Sequence, residues 1–303
     1  MDKTILNESK DLKNSQEQEI KNHLRDTQQK EIHFVGMDED SFVKECIELV
    51  KKAEEKGIIM RIMGALAVYI HSSSNERCKE LHKTRFGEGI PMFTDLDLMA
   101  YSKQMNDIKK FFESLGYIPD RMINVVFAGK RMIFYHPQGK YHIDIFFNKL
   151  EFSHDVPFGD SPEKGRLKLS FPAITPTDVV LEKLQIHFIN RKDIIDLIVM
   201  FLSHKLSQQD DKGVINKKYI AQLLANDWGF WYDAKENLKK VKEIANYLVK
   251  NNSIKEEEEE IIAKRVEELI KAIDDEPKTK NWEKRAKKGT KEKWYKDVEE
   301  IVR

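Results

Sequence analysis

Two aspartates one residue apart, Asp95 and Asp97, lie in the apolar segment 93–100. Side chains alternate between the two faces of a β-strand, so both carboxylates would point one way, and Leu96 and Leu98 the other. Like charges this close repel each other, and burying them is costly unless a cation binds between them. Mg²⁺ is commonly bound through one or two carboxylates and substrate phosphates. The pair therefore predicts a divalent-cation site for phosphoryl or nucleotidyl chemistry.

A second apolar segment, residues 141–147, carries Asp144 at its centre. On a strand, His142 and Asp144 would share one face. If this strand lies beside the strand of Asp95 and Asp97, three carboxylates converge. Such a group can hold two metal ions, one under the attacking oxygen and one under a triphosphate.

The order of these motifs resembles the nucleotidyltransferase superfamily, which has the polymerase-β-like fold. The residues that carry the resemblance are Met63-Gly64-Ala65, Thr94-Asp95-Leu96-Asp97-Leu98 and Ile143-Asp144-Ile145. The resemblance implies that Asp95, Asp97 and Asp144 bind Mg²⁺ or Mn²⁺. It also implies that the backbone amides of Gly64 and Ala65 hold the triphosphate of an NTP co-substrate, since amides at a helix start form a natural anion site. The implied reaction is attack of an acceptor hydroxyl on the α-phosphorus, with release of pyrophosphate.

Two later segments, 181–184 (LEKL) and 190–197 (NRKDIIDL), are similar to the AbiEii-type branch of this superfamily. That branch includes toxin components of bacterial toxin–antitoxin pairs. The similarity implies that Lys183 contacts a nucleotide phosphate and that Asp193 supports the site or positions the base. It further implies a tRNA end as the acceptor and an antitoxin protein as a partner. A small hydroxylated molecule, such as an antibiotic, and a protein are the alternative acceptors. A non-catalytic nucleotide- or RNA-binding module and a metal-dependent nuclease are the alternative functions, although a nuclease would not need Gly64 and Lys183.

The chain departs from the family pattern in two places. Ala65 stands where many relatives have Ser, so one hydroxyl donor to the phosphates is missing. The interval from Gly64 to Asp95 is also longer than usual, which predicts a polar insertion at residues 72–90. Extra loop length of this kind costs little free energy. The insertion contains Ser72, Ser73, Lys83 and Arg85, which are either phosphate contacts or solvated loop residues.

Each site residue also has a purely structural interpretation. Asp95 and Asp97 could cap amides at a strand end, and Asp144 could pair with Arg131 or Lys140. Lys183 could extend along the edge of a helix. Asp193 could stabilise a helix N-terminus by its charge.

Hydrophobic periodicity predicts an α+β protein in which a mixed α/β part precedes an all-α C-terminal domain. The resemblance implies that the first part is a nucleotidyltransferase-like mixed sheet with flanking helices. We expect a flexible polar arm over residues 1–35, an α/β domain over 36–172 and a helical domain over 173–303. The predicted strands of the α/β domain include three that form an antiparallel meander and one more after it: Met122–Ala128, Arg131–His136, Tyr141–Phe147 and Arg166–Phe171. After Pro176 only helices are predicted.

Net charge, apolar runs and cysteine spacing limit the classes of function that the chain could have. The 303 residues include 52 Lys and Arg and 52 Asp and Glu, so the formal net charge is zero and no global field favours nucleic acid. No apolar run approaches the roughly 18 residues of a membrane helix, and the first residues lack an apolar signal segment, so we expect a cytoplasmic protein with no membrane partner. Cys46 and Cys78 have no metal-type spacing and predict ordinary reduced thiols.

One local segment is strongly basic. Residues 278–296 interleave Lys and Arg with Trp282, Trp294 and Tyr295. Cations beside aromatic rings suit RNA phosphates and stacked bases. The alternative is a closing helix whose tryptophans pack on the helical domain.

Overall fold

A five-stranded mixed sheet carries the predicted aspartates. The computed structural model describes residues 37–86 and 90–298, so the predicted arm of residues 1–35 lies outside the described residues. The strands of this sheet lie side by side in the order β1-β2-β5-β4-β3. Numbered along the chain, they are β1 (Met60–Ile62), β2 (Asp95–Ala100), β3 (Ile118–Pro119), β4 (Arg131–Tyr135) and β5 (His142–Phe147). Strands β2 and β5 pair in parallel, and the other neighbours pair antiparallel.

Two short strand pairs stand apart from this sheet. Strands β6 (Lys149–Glu151) and β7 (Asp155–Pro157) form an antiparallel hairpin. Strands β8 (Lys205–Ser207) and β9 (Val214–Asn216) pair in parallel. The latter pair corrects the prediction that only helices follow Pro176.

The helices, numbered in chain order, surround the sheet and form most of the second half of the chain. They are α1 (Glu39–Glu54), α2 (Gly64–Ser72), α3 (Glu76–Lys83), α4 (Met105–Ser114), α5 (Arg121–Val126), α6 (Pro176–Leu184), α7 (Arg191–Ser203), α8 (Lys217–Leu224), α9 (Trp228–Lys250), α10 (Glu256–Asp275) and α11 (Lys280–Ala286). Helices and a mixed sheet together are consistent with the predicted α+β class. The described residues form one compact unit, and the proposed boundary near residue 172 stays a prediction.

Local sequence explains where several elements begin. The side chain of Asp38 accepts a hydrogen bond from the amide of Ser41 (2.9 Å) and so caps α1, as its sequence predicts. In β2 and β5 the apolar partners Leu96, Leu98 and Ile145 are fully buried. Their alternation with the aspartates confirms that the carboxylates share the opposite face.

The segment Met122–Ala128, predicted as a strand, is instead the helix α5. Asp120 starts it by accepting from the amide of Ile123 (3.0 Å). The side chain of Asn124 then bonds to both backbone groups of Ile133, at 2.7 Å to its N and 3.2 Å to its O. These bonds pair backbone groups at the outer edge of β4, which would otherwise need a neighbouring strand as their partner.

One further segment differs from expectation, whereas the polar insertion holds a short helix, one of the two forms expected of it. Residues 166–171, predicted as a strand, hold a 3₁₀ turn at Leu167–Leu169. The insertion at 72–90 contains α3, which Asn75 caps by accepting from the amide of Cys78 (3.3 Å). Across the described part of the chain, no helix combines the length and the apolar character needed to span a membrane.

Candidate active site

The predicted acids lie side by side at the centre of the sheet. In the parallel pairing of β2 with β5, Asp97 is the register partner of Asp144, and Asp95 is the partner of His142. Residues at paired positions share a face. The predicted proximity of the two strands is confirmed.

Asp144 is engaged by an arginine of the next strand. The Nε of Arg131 donates to Oδ1 of Asp144 (2.6 Å), and Nη2 donates to Oδ2. The guanidinium also lies over the ring of Phe146, 5.0 Å from its centroid. Asp144 is 3 % exposed, so this is a buried, two-pronged ion pair.

This ion pair reduces the predicted three-carboxylate group to two acids. Within residues 37–86 and 90–298, no three His, Cys, Asp or Glu side chains are grouped so that they could hold a metal ion. Both oxygens of Asp144 face Arg131, whereas Asp95 and Asp97 line a pocket. A cation at this place would therefore be held by Asp95 and Asp97.

The carboxylate of Asp97 lies in surroundings that oppose its charge. Burial raises its pKa well above the usual value, and the charges of Asp95, Asp144 and Glu182 raise it further. No hydrogen bond or ion pair of this carboxylate is found among the residues that the structure describes. Asp95 is more open, with 44 % of its side chain exposed and its Oδ2 3.7 Å from Nε2 of His142. The charge of Lys183 lowers the pKa of Asp97 only in part, and a half-buried carboxylate to which no cationic side chain hydrogen-bonds is a favourable ligand for a metal ion.

The pocket in front of these acids has a volume of about 200 Å³. Backbone from the start of α2 forms one wall, and Phe86, Met92 and Phe93 add an apolar side. Its charged lining residues are Arg85, Asp95, Asp97, Glu182, Lys183, Lys192 and Asp193. The pocket thus brings together carboxylates, cations and helix-start amides.

Gly64 places the first turn of α2 against Asp97. Its φ of +68° favours glycine, and a Cβ at this position would lie 2.9 Å from Oδ2 of Asp97. The amide of Gly64 donates to Oε2 of Glu182 (3.1 Å). Among the described residues no side chain caps α2, so the amides of Ala65 and Leu66 remain donors of the first turn without a partner there, and both residues line this pocket.

Lys183 is buried among carboxylates in the pocket wall. Its Nζ lies 3.0 Å from Oδ1 of Asp193, 3.2 Å from Oδ2 of Asp196 and 3.6 Å from Oε1 of Glu182. Burial opposes the charge of the ammonium, but these three acids more than offset it and raise the pKa of Lys183 above the usual value. The two predicted site residues Lys183 and Asp193 are thus in direct contact with each other, and Glu182 joins them.

A histidine and an arginine from the insertion contact this group of charges. His82 Nε2 donates to Oδ1 of Asp196 (3.0 Å), and Arg85 Nη2 donates to Oδ2 (3.1 Å). Burial favours protonation of Asp196, but Lys183, His82 and Arg85 hold its pKa below the usual value. Asp196 is thereby the anchor of a fully buried charge network.

Sequence reasoning placed this insertion among polar loops and missed its role. Cys78, Leu81, His82 and Arg85 recur at helical spacing, a signal that could have shown which side faces the protein. Ser72 and Ser73 do not reach the pocket wall, since they donate to carbonyls of their own helix. Glu182 was not predicted as a site residue, because the similarity to AbiEii-type proteins assigned a role only to its neighbour Lys183.

The basic C-terminal segment uses its tryptophans for packing. Trp282 meets the ring of Trp231 edge-on at 5.1 Å, and Trp294 meets Tyr232 at 5.2 Å. These contacts agree with the second alternative, in which the tryptophans of this segment pack against other helices. Several lysines of the segment, such as Lys284 and Lys287, are exposed.

Comparisons with known proteins add no relative. No protein-family model, curated protein or solved structure matches this chain. The resemblance to nucleotidyltransferases accordingly stays a prediction.

Proposed function

We propose that this chain is a metal-dependent nucleotidyltransferase that transfers an NMP group from an NTP to a hydroxyl acceptor and releases pyrophosphate. One observation carries the proposal: Asp95 and Asp97 face the same pocket as the first turn of α2 and Lys183. Carboxylates suit a cation, and amides and an ammonium suit phosphates. The polymerase-β-like fold and the kinship with AbiEii-type proteins are part of the same proposal.

The residues present fit a divalent cation bound by two acids. Asp97 lacks a cationic hydrogen-bond partner in the described part of the chain, and Asp95 beside it is open to solvent. Mg²⁺ or Mn²⁺ held by these two would keep further positions for substrate phosphates. When bound, such an ion supplies charge neutralisation at the phosphates and lowers the pKa of a coordinated hydroxyl.

The chain's own groups would bind and orient the triphosphate. The free amides of Ala65 and Leu66 would donate to phosphate oxygens at the start of α2. Lys183, fixed by Asp193 and Asp196, would stabilise charge that develops on the phosphates. Asp144 could act as a ligand or base only after leaving Arg131, so we assign it no direct role in the resting protein.

The acceptor defines two versions of the proposal. A tRNA end predicts that transfer weakens steeply with salt, because exposed lysines of residues 278–296 would contact phosphates. A small hydroxylated molecule predicts activity that is nearly independent of salt. The tRNA version brings with it an antitoxin protein as a partner and a cytoplasmic location.

The decisive experiment offers each labelled NTP with Mg²⁺ to total RNA and to a small-molecule extract, and follows which fraction acquires label. Asp95→Asn and Asp97→Asn should each abolish transfer. Asp107→Asn, an exposed acid of α4 that does not line the pocket, serves as the matched control and should keep full activity. Full turnover by Asp97→Asn would refute the assignment.

A second candidate is a non-catalytic nucleotide-binding module with the same fold. The pairing of Asp144 with Arg131, and of Glu182 with the Gly64 amide, favours it, because both contacts withhold groups that a transfer reaction would use. This candidate predicts calorimetric binding of an NTP with no pyrophosphate release at any acceptor offered.

A further inference from the structure

A short connection links the two helices that bring Lys183 and Asp193 to the pocket. Helix α6 ends at Leu184, α7 begins at Arg191, and residues 185–190 between them contain no regular secondary structure. The placement of both pocket residues depends on how this connection is held. Helix α9, the turn between β6 and β7 and the C-terminal segment 294–296 all contact this connection. The residues through which they do so do not line the pocket.

Helix α9 holds the connection from one side through two buried polar residues. The side-chain nitrogen Nδ2 of Asn237 donates to the backbone carbonyl of Leu184 (3.1 Å) and to that of Ile186 (2.7 Å). One turn earlier, Oδ2 of Asp233 accepts from Nδ1 of His187 (2.9 Å). Asn237 is 1 % exposed and Asp233 3 %, so both are committed to these contacts. Asn237 in effect caps the end of α6, directly after Lys183.

The turn between β6 and β7 holds the same connection from a second side. The amide of His154 donates to Oε1 of Gln185 (3.2 Å), and the amide of His187 donates to Oγ of Ser153 (3.2 Å). Nε2 of His154 also donates to Oδ2 of Asp233 (2.7 Å), the oxygen that His187 shares. The turn and α9 are thus tied to each other as well as to the connection.

The C-terminal segment 294–296 closes this arrangement. Nε1 of Trp294 donates to Oδ1 of Asp233 (2.9 Å), and the ring of Tyr295 stacks on His187 with centroids 3.5 Å apart. The amide of Lys296 donates to the carbonyl of Ser153 (3.0 Å). Both carboxylate oxygens of Asp233 therefore accept hydrogen bonds, and one of the donors, Trp294, lies near the C-terminal end of the described residues.

These contacts are directional hydrogen bonds to buried groups rather than nonspecific packing. A buried donor or acceptor that loses its partner carries the full cost of desolvation, so the set favours one conformation of the connection. We propose that Asp233 and Asn237 are positioning residues which, with the C-terminal segment 294–296, fix residues 185–190 and thereby set the placement of Lys183 and Asp193 in the pocket. The catalytic part of this inference rests on the proposed function, whereas its mechanical part does not.

Hydrogen exchange of the free protein tests the mechanical part. Trp294→Ala and the milder Trp294→Phe, which keeps a ring but loses the N–H donor, should speed amide exchange in residues 185–187 by about fivefold or more, the factor expected for one lost hydrogen bond. The matched control is Trp282→Ala, which removes another tryptophan of the C-terminal segment that packs on Trp231, away from the connection. It should leave exchange at 185–187 unchanged. Equal acceleration by the Trp282 and Trp294 variants, or none by either Trp294 variant, would overturn the inference.

Kinetics of the folded variants test the consequence for the pocket. Misplacement of Lys183 in Trp294→Phe and Asn237→Ala should raise KM for the NTP as well as lower kcat. A purely structural defect would lower the active fraction, and hence kcat, at constant KM. An unchanged KM beside faster exchange would refute the positioning role. Absence of transfer in the unmutated protein would refute the proposed function alone, because the exchange experiment would still decide whether the connection is held in this way.

Discussion

Asp97 and Asp144 are register partners on adjacent parallel strands, but an arginine hydrogen-bonds to only one of them. Arg131 holds both oxygens of Asp144, whereas the carboxylate of Asp97 faces the pocket with three other acids contributing to its raised pKa. Two acids one strand apart therefore have opposite electrostatic surroundings. Asp144 contributes to the stability of the sheet, and Asp97 is available to a cation.

Removing Arg131 should separate these roles. Arg131→Met leaves Asp144 buried without its guanidinium partner, so we expect a loss of about 3 kcal/mol in the free energy of unfolding. Urea unfolding without divalent ions measures it. The double variant Arg131→Met/Asp144→Leu should regain most of this loss, because a well-packed apolar pair replaces a buried ion pair at little cost.

Magnesium should act differently on this variant. With Arg131 gone, Asp144 can join Asp97 in binding a cation, so Mg²⁺ should raise the melting temperature of Arg131→Met more than that of the unmutated protein. Lys130→Met is the control, since Lys130 pairs with Glu151 at the surface and its loss should matter little. An equal rise in all three proteins would show that Asp144 does not join the site, and no rise in any of them would count against a cation site at Asp97.

Asp97→Asn should make the metal-free protein more stable at neutral pH. The folded-state pKa of Asp97 is raised, so the folded protein binds its proton more tightly than the unfolded chain does, and stability falls as pH rises above the unfolded pKa of about 3.9. Removing the charge should add about 1 to 3 kcal/mol at pH 7, the scale of polar burial penalties. The gain should vanish below about pH 4. Urea titrations at both pH values check it, and a destabilised Asp97→Asn at pH 7 would contradict the electrostatic account.

Much of the site could be predicted from the strands that carry it. Alternation of Leu96 and Leu98 with Asp95 and Asp97 fixes which side chains share a face, because the strand period is two residues. The pairing of Asp144 with Arg131 was one of two structural alternatives that the sequence offered; the other partner, Lys140, lies near Glu45 instead. Arg131 is paired with Phe146 in register, and its long side chain reaches diagonally to Asp144, a choice that periodicity does not encode.

The elements that were predicted wrongly show a second limit. The β-branched pair Val125 and Val126 favours a strand by propensity, but Asp120 starts a helix there and Asn124 satisfies the strand edge. Local propensity thus yields to a helix cap and to hydrogen bonds made with the next strand. Arg85 was among the predicted candidates for phosphate contact, but its pairing with Asp196, 111 residues away along the chain, is not encoded in any local pattern.

Gly64→Ala should cost more stability than the same change at Gly57. Both glycines have positive φ, +68° and +74°, so each alanine carries a backbone penalty of roughly 1 to 2 kcal/mol. Only at Gly64 would the new Cβ meet Oδ2 of Asp97, at 2.9 Å, whereas nothing lies within 4 Å at Gly57. We therefore expect Gly64→Ala to be destabilised by about 1 kcal/mol more in urea unfolding, the lower range for overpacking. Equal losses would mean that Asp97 can move away freely.

His204 should make the protein sensitive to mild acid. Burial, with His71 nearby, lowers the pKa of His204 to about 4, whereas the unfolded chain titrates near about 6.5. Between these values the unfolded state binds the proton and the folded state does not, so stability is lost as pH falls from about 6.5 to 4. The difference of about 2.5 units corresponds to about 3 kcal/mol. His204→Gln should lack this loss, so its free energy of unfolding relative to the unmutated protein should rise by about that amount between pH 7 and pH 4. Parallel pH profiles of the two proteins, measured by urea unfolding, would contradict the lowered pKa, because they would mean that folding leaves the pKa of His204 unchanged.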